Sequence, residues 1–152
     1  MAPESTAPSA SAEANKALIR RYREAHNQNN LDALDTIVAQ DIISHSSLPG
    51  LPDGLAGGKL AHAAFMESFP DTQTTTDQLI AEGDRVVERF TARGTHTGTF
   101  MGAPATGKSF TVTGMSIFRI ANGKIVEHWG ENDGIGLMMQ LGMLPMPGAG
   151  AP

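Results

Sequence analysis

The chain contains no cysteine, which excludes a disulfide scaffold, a thiolate zinc site and a cysteine nucleophile together. It has no apolar run near the roughly 18 residues that a membrane-spanning helix requires, so no membrane partner is expected. It also lacks an excess of positive charge. Its 11 Lys and Arg face 16 Asp and Glu, a formal charge of -5, which is the wrong sign for a general nucleic-acid binder. Residues 1–14 have neither a basic start nor an apolar segment, so they do not form a secretory signal, and a cytoplasmic protein is expected. Five histidines are present, but no H-x-H or H-x-x-x-H spacing joins any two of them, and no metal is expected.

What is present suits one domain. With 152 residues, 40% of them hydrophobic, the chain can build a single core of ordinary size. Residues 1–13 are rich in Pro, Ser and Ala and residues 145–152 in Gly, Pro and Ala. Both stretches are expected to be disordered tails around a domain at 14–144. Apolar residues recur at helical spacing over 13–27 and 31–39. A short extended piece follows at 41–45, then a Pro/Gly loop at 48–58 and a third helix that Pro70 ends.

Beyond Pro70 the period becomes two-fold, predicting strands at 74–81, 85–100, 109–120 and 124–131, the last two joined by the Asn122-Gly123 turn. A short helix near 134–141, with Asp133 as its N-cap, closes the domain. Helices first and an antiparallel sheet afterwards predict an α+β domain with the helices on one sheet face. The other face is left for solvent or association.

Gly102 to Ser109 spell the phosphate-loop pattern G-x-x-x-x-G-K-[ST]. That pattern binds phosphate only when a helix starts at the lysine and aims its amides at the ligand. Here Phe110-Thr111-Val112-Thr113 follows, alternating and β-branched, so a hairpin loop is expected and ATP binding is not.

Alternation puts Val86, Glu88, Phe90 and Ala92 on the inward face of one strand, and Val112, Gly114, Ser116, Phe118 and Ile120 on that of the next. Across the Asn122-Gly123 turn, Val126, His128, Gly130 and Asn132 share this face, with Ser116 placed opposite His128 and Gly114 opposite Gly130. Gly114, Ser116 and Gly130 are small where a packed core would be bulky. Either they leave a ligand pocket, or Tyr22, Phe65 or Met66 fill the gap from the helices. Glu88 is either a desolvated acid/base group or a carboxylate at the rim that reaches water.

Several short motifs occur in order: A-E-G-D-R-V-V (81–87), A-R-G-T-H-T-G (92–98), G-x-x-x-x-G-K (102–108), I-F-R-I-x-x-G-K-I-V-E-H-W (117–129) and Q-L-G (140–142). N-x-x-L-D-A-L-D precedes them, as does F-P-D at 69–71. Together the series resembles the SnoaL-like polyketide (ester) cyclase family of the nuclear-transport-factor-2-like superfamily. The resemblance implies a cone in which a curved antiparallel sheet wraps three N-terminal helices around a deep apolar pocket. It further implies ring closure by intramolecular aldol condensation without metal or cofactor, and homo-oligomers, dimer or tetramer, formed through the exposed sheet face.

In the resemblance the catalytic Asp falls on Gly130, two positions beyond His128. Two pocket-lining polar residues of the family fall on Gly114 and Ser116, another on Ser44 beside His45, and an aromatic on His26. The expected function is therefore acid/base chemistry next to the carbonyl of a small apolar compound. His128, Glu88 and Asp133 are the catalytic candidates. His26, Ser44, His45, Phe90, Gly114, Ser116, Phe118 and Gly130 are the expected substrate-binding set. The alternatives are a binding protein of the same fold, a different acid/base lyase, isomerase or hydrolase, and a metal-dependent enzyme using His26, His45 and His128. His96, in G-T-H-T-G, is expected to brace a strand end.

Overall fold

The computed structural model describes residues 10–148. Its first helix, α1 (Ala10–Asn27), starts ahead of the boundary expected at residue 14, because Ala10-Ser11-Ala12-Glu13-Ala14 is rich in good helix formers. Residues 1–9 of the expected N-terminal tail, and 149–152 of the C-terminal one, lie outside the described residues. Leu18, Ile19 and Ala25 form the buried stripe of α1.

Asn30 then accepts a hydrogen bond from the Ala33 amide at 3.3 Å and opens a 3-10 helix, Leu31–Thr36. An α-helix reaching residue 39 was expected here. Ile37 and Val38 are β-branched, however, and suit the strand that begins at once, β1 (Val38–Ser44). The next helix, α2 (Gly54–Ser68), takes up the last part of the segment expected to be loop.

Four strands follow: β2 (Gln73–Glu82), β3 (Arg85–Thr95), β4 (Ser109–Ala121) and β5 (Lys124–Asn132). β3 ends five residues earlier than expected. The amides of Thr97 and Gly98 both bond to the Ser68 carbonyl at the end of α2, which draws the chain off the sheet. Residues 104–108 are coil and β4 starts at Ser109, so the phosphate-loop letters stand before a strand. A last helix, α3 (Gly134–Gln140), is capped by Asp133, whose Oδ1 accepts from the Gly136 amide at 2.9 Å.

The sheet order is β1-β5-β4-β3-β2, antiparallel apart from the parallel β1–β5 pair. α1 rests on β2 and β3, α2 on β1, and α3 on β4. One apolar cluster joins Ile19, Leu34, Leu55, Val86, Phe118 and Ile125; a second joins Phe69, Phe110, Val112 and Leu141. Each fully buried Phe, Ile or Leu in them stabilises the fold by about 1.5–3 kcal/mol.

The β4–β5 register differs from the expected one by two residues. Phe118 lies opposite His128, Ser116 opposite Gly130, and Gly114 opposite Asn132. One step arises at the turn, where Ala121 pairs with Lys124 and Ile120 with Ile125; the other is a bulge, since Arg119 pairs with Glu127 and leaves Val126 as the extra residue. Ile125 is therefore fully buried and Val126 only partly. Past the bulge the inward face resumes at His128.

Candidate active site

The sheet's inward face carries an unusual share of polar groups. Glu88, at the centre of β3, is completely buried, so the reading that placed it at a wet rim does not hold. Arg23 of α1 grips its carboxylate with two donors, Nε to Oε1 at 3.0 Å and Nη2 to Oε2 at 2.7 Å. Thr76 of β2 donates to the same Oε1 at 2.7 Å. Burial works against the Arg23 charge, yet the hydrogen bonds and charge of Glu88 hold its pKa above the ordinary arginine value. A carboxylate fixed this way positions α1 against the sheet.

Across the interior runs a row of rings. His62 meets His26 at 4.8 Å between centroids, His26 meets Tyr22 at 4.3 Å, Tyr22 meets Phe118 at 5.2 Å, and Phe118 meets His128 at 5.0 Å. Two cavities of about 200 Å³ each flank the row. The first is lined by Tyr22, His26, Phe118 and His128, by Ser44 and Ser46, and by apolar residues of the 48–55 segment such as Leu48, Leu51 and Leu55. The second holds Arg23, His26, His62, Phe65, Phe90 and Asp133.

The small residues do not make these cavities directly. A Cβ at Gly114 would collide with Cζ of Phe90, and with the Glu131 carbonyl at 2.7 Å. One at Gly130 would lie 3.0 Å from Cε1 and 3.2 Å from Nε2 of His128. Both glycines thus make room for a ring of the protein itself, and the rings then shape the cavity walls. His128 is held by Ser116, its Nε2 lying 3.2 Å from Oγ. Ser46 ties the loop after β1 to β5, accepting from the Gly130 amide and donating to its carbonyl, both at 2.8 Å.

The three imidazoles that border the cavities are neutral at physiological pH. Burial, aided by the Arg23 charge, lowers the pKa of both His26 and His128 to about 4, and lowers that of His62. Burial also raises the pKa of Tyr22, so its hydroxyl keeps its proton. No described residue is a hydrogen-bond partner of that hydroxyl, and Tyr22 lines the first cavity, so the hydroxyl is available to a bound molecule.

The structure therefore brings His128, Ser116, Phe118, Ser44 and His26 around or beside one cavity. Phe90 belongs to the other. His45 does not join them: its ring stacks on Trp129 at 4.7 Å and its Nε2 lies 2.9 Å from Glu127, both on the opposite sheet face. The turn after β1 carries it there, one residue beyond the inward Ser44. Asp133 is exposed and engaged as the α3 cap. Among the described residues no three His, Asp or Glu side chains could hold a metal together, and no helix is long and apolar enough to cross a membrane.

With this geometry in hand, the sequence profile of the SnoaL-like polyketide cyclase family matches residues 16–141. The chain belongs to that family. Among SnoaL-like relatives, the aklanonic acid methyl ester cyclase DauD of Streptomyces sp. (strain C5) is 27% identical over 128 residues, covering 82% of this chain and 80% of its own. DnrD of Streptomyces peucetius, also an aklanonic acid methyl ester cyclase, is 28% identical over 129 residues, with 82% and 88% covered. TsrD from Streptomyces laurentii superposes with a TM-score of 0.79 at 31% identity, over 87% of this chain and 97% of its own. The α+β cone is thus the SnoaL-like fold.

Two functional candidates escaped the sequence reading. Tyr22 entered it only as a bulky residue that could fill the gap, and Arg23 not at all. Their neighbouring positions on a helix gave no sign that one faces a cavity and the other a buried carboxylate.

Proposed function

We propose that this protein is a cyclase that closes a ring within a small, largely apolar carbonyl compound by intramolecular aldol-type condensation. The observation that carries this reading is the pair of neutral imidazoles, His26 and His128, bordering one mostly apolar cavity. Their pKa of about 4 gives each ring the proton affinity of an ordinary carboxylate, near 3.9 for Asp. They can do the acid/base work of a carboxylate without burying a negative charge.

In the proposed reaction a proton leaves the carbon beside a carbonyl, and the enolate oxygen is held by the Tyr22 hydroxyl in a water-poor cavity. The enolate carbon attacks a second carbonyl of the same molecule. The resulting alkoxide takes up a proton, so the product is an isomer of the substrate. His128, oriented by Ser116, hydrogen-bonds the acceptor carbonyl. Glu88 acts at a distance, by fixing Arg23 and with it the helix that carries Tyr22 and His26.

A second copy of the chain is proposed to cover the other sheet face. Ile80, Met115 and Ile117 lie exposed there, beside a groove that includes Val87 and Trp129.

The test uses the compound named for the relatives. Incubated with aklanonic acid methyl ester, the protein should yield a product of unchanged mass and new retention time, at a rate that saturates with ester. Thermal stabilisation by the ester with no isomer formed would make the chain a binding protein and overturn the reading.

A further inference from the structure

Five histidines are described, and their surroundings differ in kind. His45 faces the outer side of the sheet. His96 is fully buried away from both cavities, its Nδ1 lying 2.9 Å from Thr106 Oγ1 and its Nε2 unpaired. His62 lines the second cavity and directs Nε2 to Asn29 Oδ1 at 3.1 Å. His128 lines the first and directs Nε2 to Ser116. His26 alone among them borders both cavities.

The hydrogen bonding of His26 selects its tautomer. Nδ1 lies 3.0 Å from the Tyr22 carbonyl oxygen, an atom that can only accept, so Nδ1 carries the proton. In the neutral ring Nε2 is then a lone pair, and no described residue donates to it. The bond closes one helical turn, from position 26 back to position 22, so the helix itself sets the ring's direction. Tyr22, the residue supplying that carbonyl, also lines the first cavity, and its hydroxyl has no partner among the described residues. A proton acceptor and an oxyanion donor therefore stand one turn apart on α1.

From this geometry we infer that His26 Nε2 is the atom that removes the carbon-bound proton, with His128 and Ser116 serving the acceptor carbonyl instead. The inference rests on the proposed function and assigns roles within it. The C–H proton passes to Nε2, and its electron pair becomes the enolate held by Tyr22. The enolate carbon then bonds to the acceptor carbon as that carbonyl's π pair moves onto oxygen. The His26 imidazolium returns its proton to this alkoxide, so no co-reactant is consumed.

Two measurements test it. Long-range 15N–1H correlation on the wild-type protein at pH 7 should show His26 protonated at Nδ1, the reverse of the tautomer that free imidazole side chains favour. In D2O with aklanonic acid methyl ester, wild-type protein should accelerate deuterium uptake beside the carbonyl as well as ring closure. His26→Asn should slow both by about a hundredfold or more, whereas His128→Asn should slow closure and leave the accelerated exchange in place. An Nε2-protonated His26, or wild-type exchange rates in His26→Asn, overturns the inference while leaving a cyclase. Failure of the wild-type protein to accelerate either process overturns the proposed function, and the inference with it.

Discussion

Glu88 and Arg23 stand 65 residues apart in the chain and meet through two hydrogen bonds of 3.0 and 2.7 Å inside the fold. This pair locks the helix bearing Tyr22 and His26 onto the strand opposite β4. It also supplies the positive charge that, after burial, does most to keep His128 neutral.

Glu88→Gln should therefore act on stability first. It leaves a buried guanidinium without its counter-charge, a change that costs about 3–5 kcal/mol in comparable buried pairs. Urea denaturation measures it. A loss below about 1 kcal/mol would show that Arg23 finds water or another partner, and that the pair does not hold α1 in place.

Gly130→Asp places a carboxylate where the family resemblance expects one, yet it should not raise activity. Its Cβ would lie 3.0 Å and 3.2 Å from ring atoms of His128, so that imidazole must shift by a few tenths of an ångström from the position in which Ser116 holds it. The expected result is slower cyclisation, by about tenfold or more for a misplaced catalytic group. A faster variant would mean that His128 occupies space a carboxylate uses better.

The neutral imidazoles also make stability depend on pH in a definite direction. His26 and His128 titrate near 6.5 in the unfolded chain and near 4 in the folded one. Above 6.5 both states hold neutral rings and this contribution is complete. Between 6.5 and 4 the unfolded chain binds protons that the folded rings refuse, so stability falls as the pH drops, by at most about 3 kcal/mol per ring. The groups facing the two rings enter the same balance: Arg23 disfavours protonation and Glu88 favours it for both, His62 disfavours it for His26 and His45 for His128. Urea midpoints at pH 7 and 4.5 should differ less in His26→Asn/His128→Asn than in wild type. Equal differences would mean the rings are solvated.

Association through the outer sheet face is checked by one charge. Ile117→Glu, on the strand that carries exposed Met115, should convert the assembly to monomer in sedimentation equilibrium without altering the circular dichroism. An unchanged mass would place any interface elsewhere.

Much of this architecture is legible in residue order. Two-fold alternation placed Val86, Glu88 and Phe118 inward, and Asn122-Gly123 adopts positive φ at both residues, 51° and 73°, as a tight hairpin requires. Register was not legible, because alternation specifies a face and not a partner; the turn pairing of Ala121 with Lys124 moved the β4–β5 register by one, and the extra residue at Val126 moved the pairs beyond it by one more. Nor could small side chains reveal what fills the space beside them. Gly114 marks the place of Phe90 and Gly130 that of His128, and both facts depend on rotamers. The Arg23–Glu88 pair was hidden because it joins a helix to a strand far along the chain. Of the α1 face that lines the first cavity, the family resemblance pointed to His26, whereas Tyr22 was hidden because it fits a core stripe equally well.

The most direct test of imidazole chemistry compares two substitutions on the same substrate. Rates of aklanonic acid methyl ester cyclisation at pH 7 should fall by about a hundredfold or more in His26→Asn/His128→Asn. They should stay within about threefold of wild type in Asp133→Asn, which keeps the α3 cap and removes only the carboxylate. Wild-type rates in the double histidine variant, with loss in Asp133→Asn, would contradict the account.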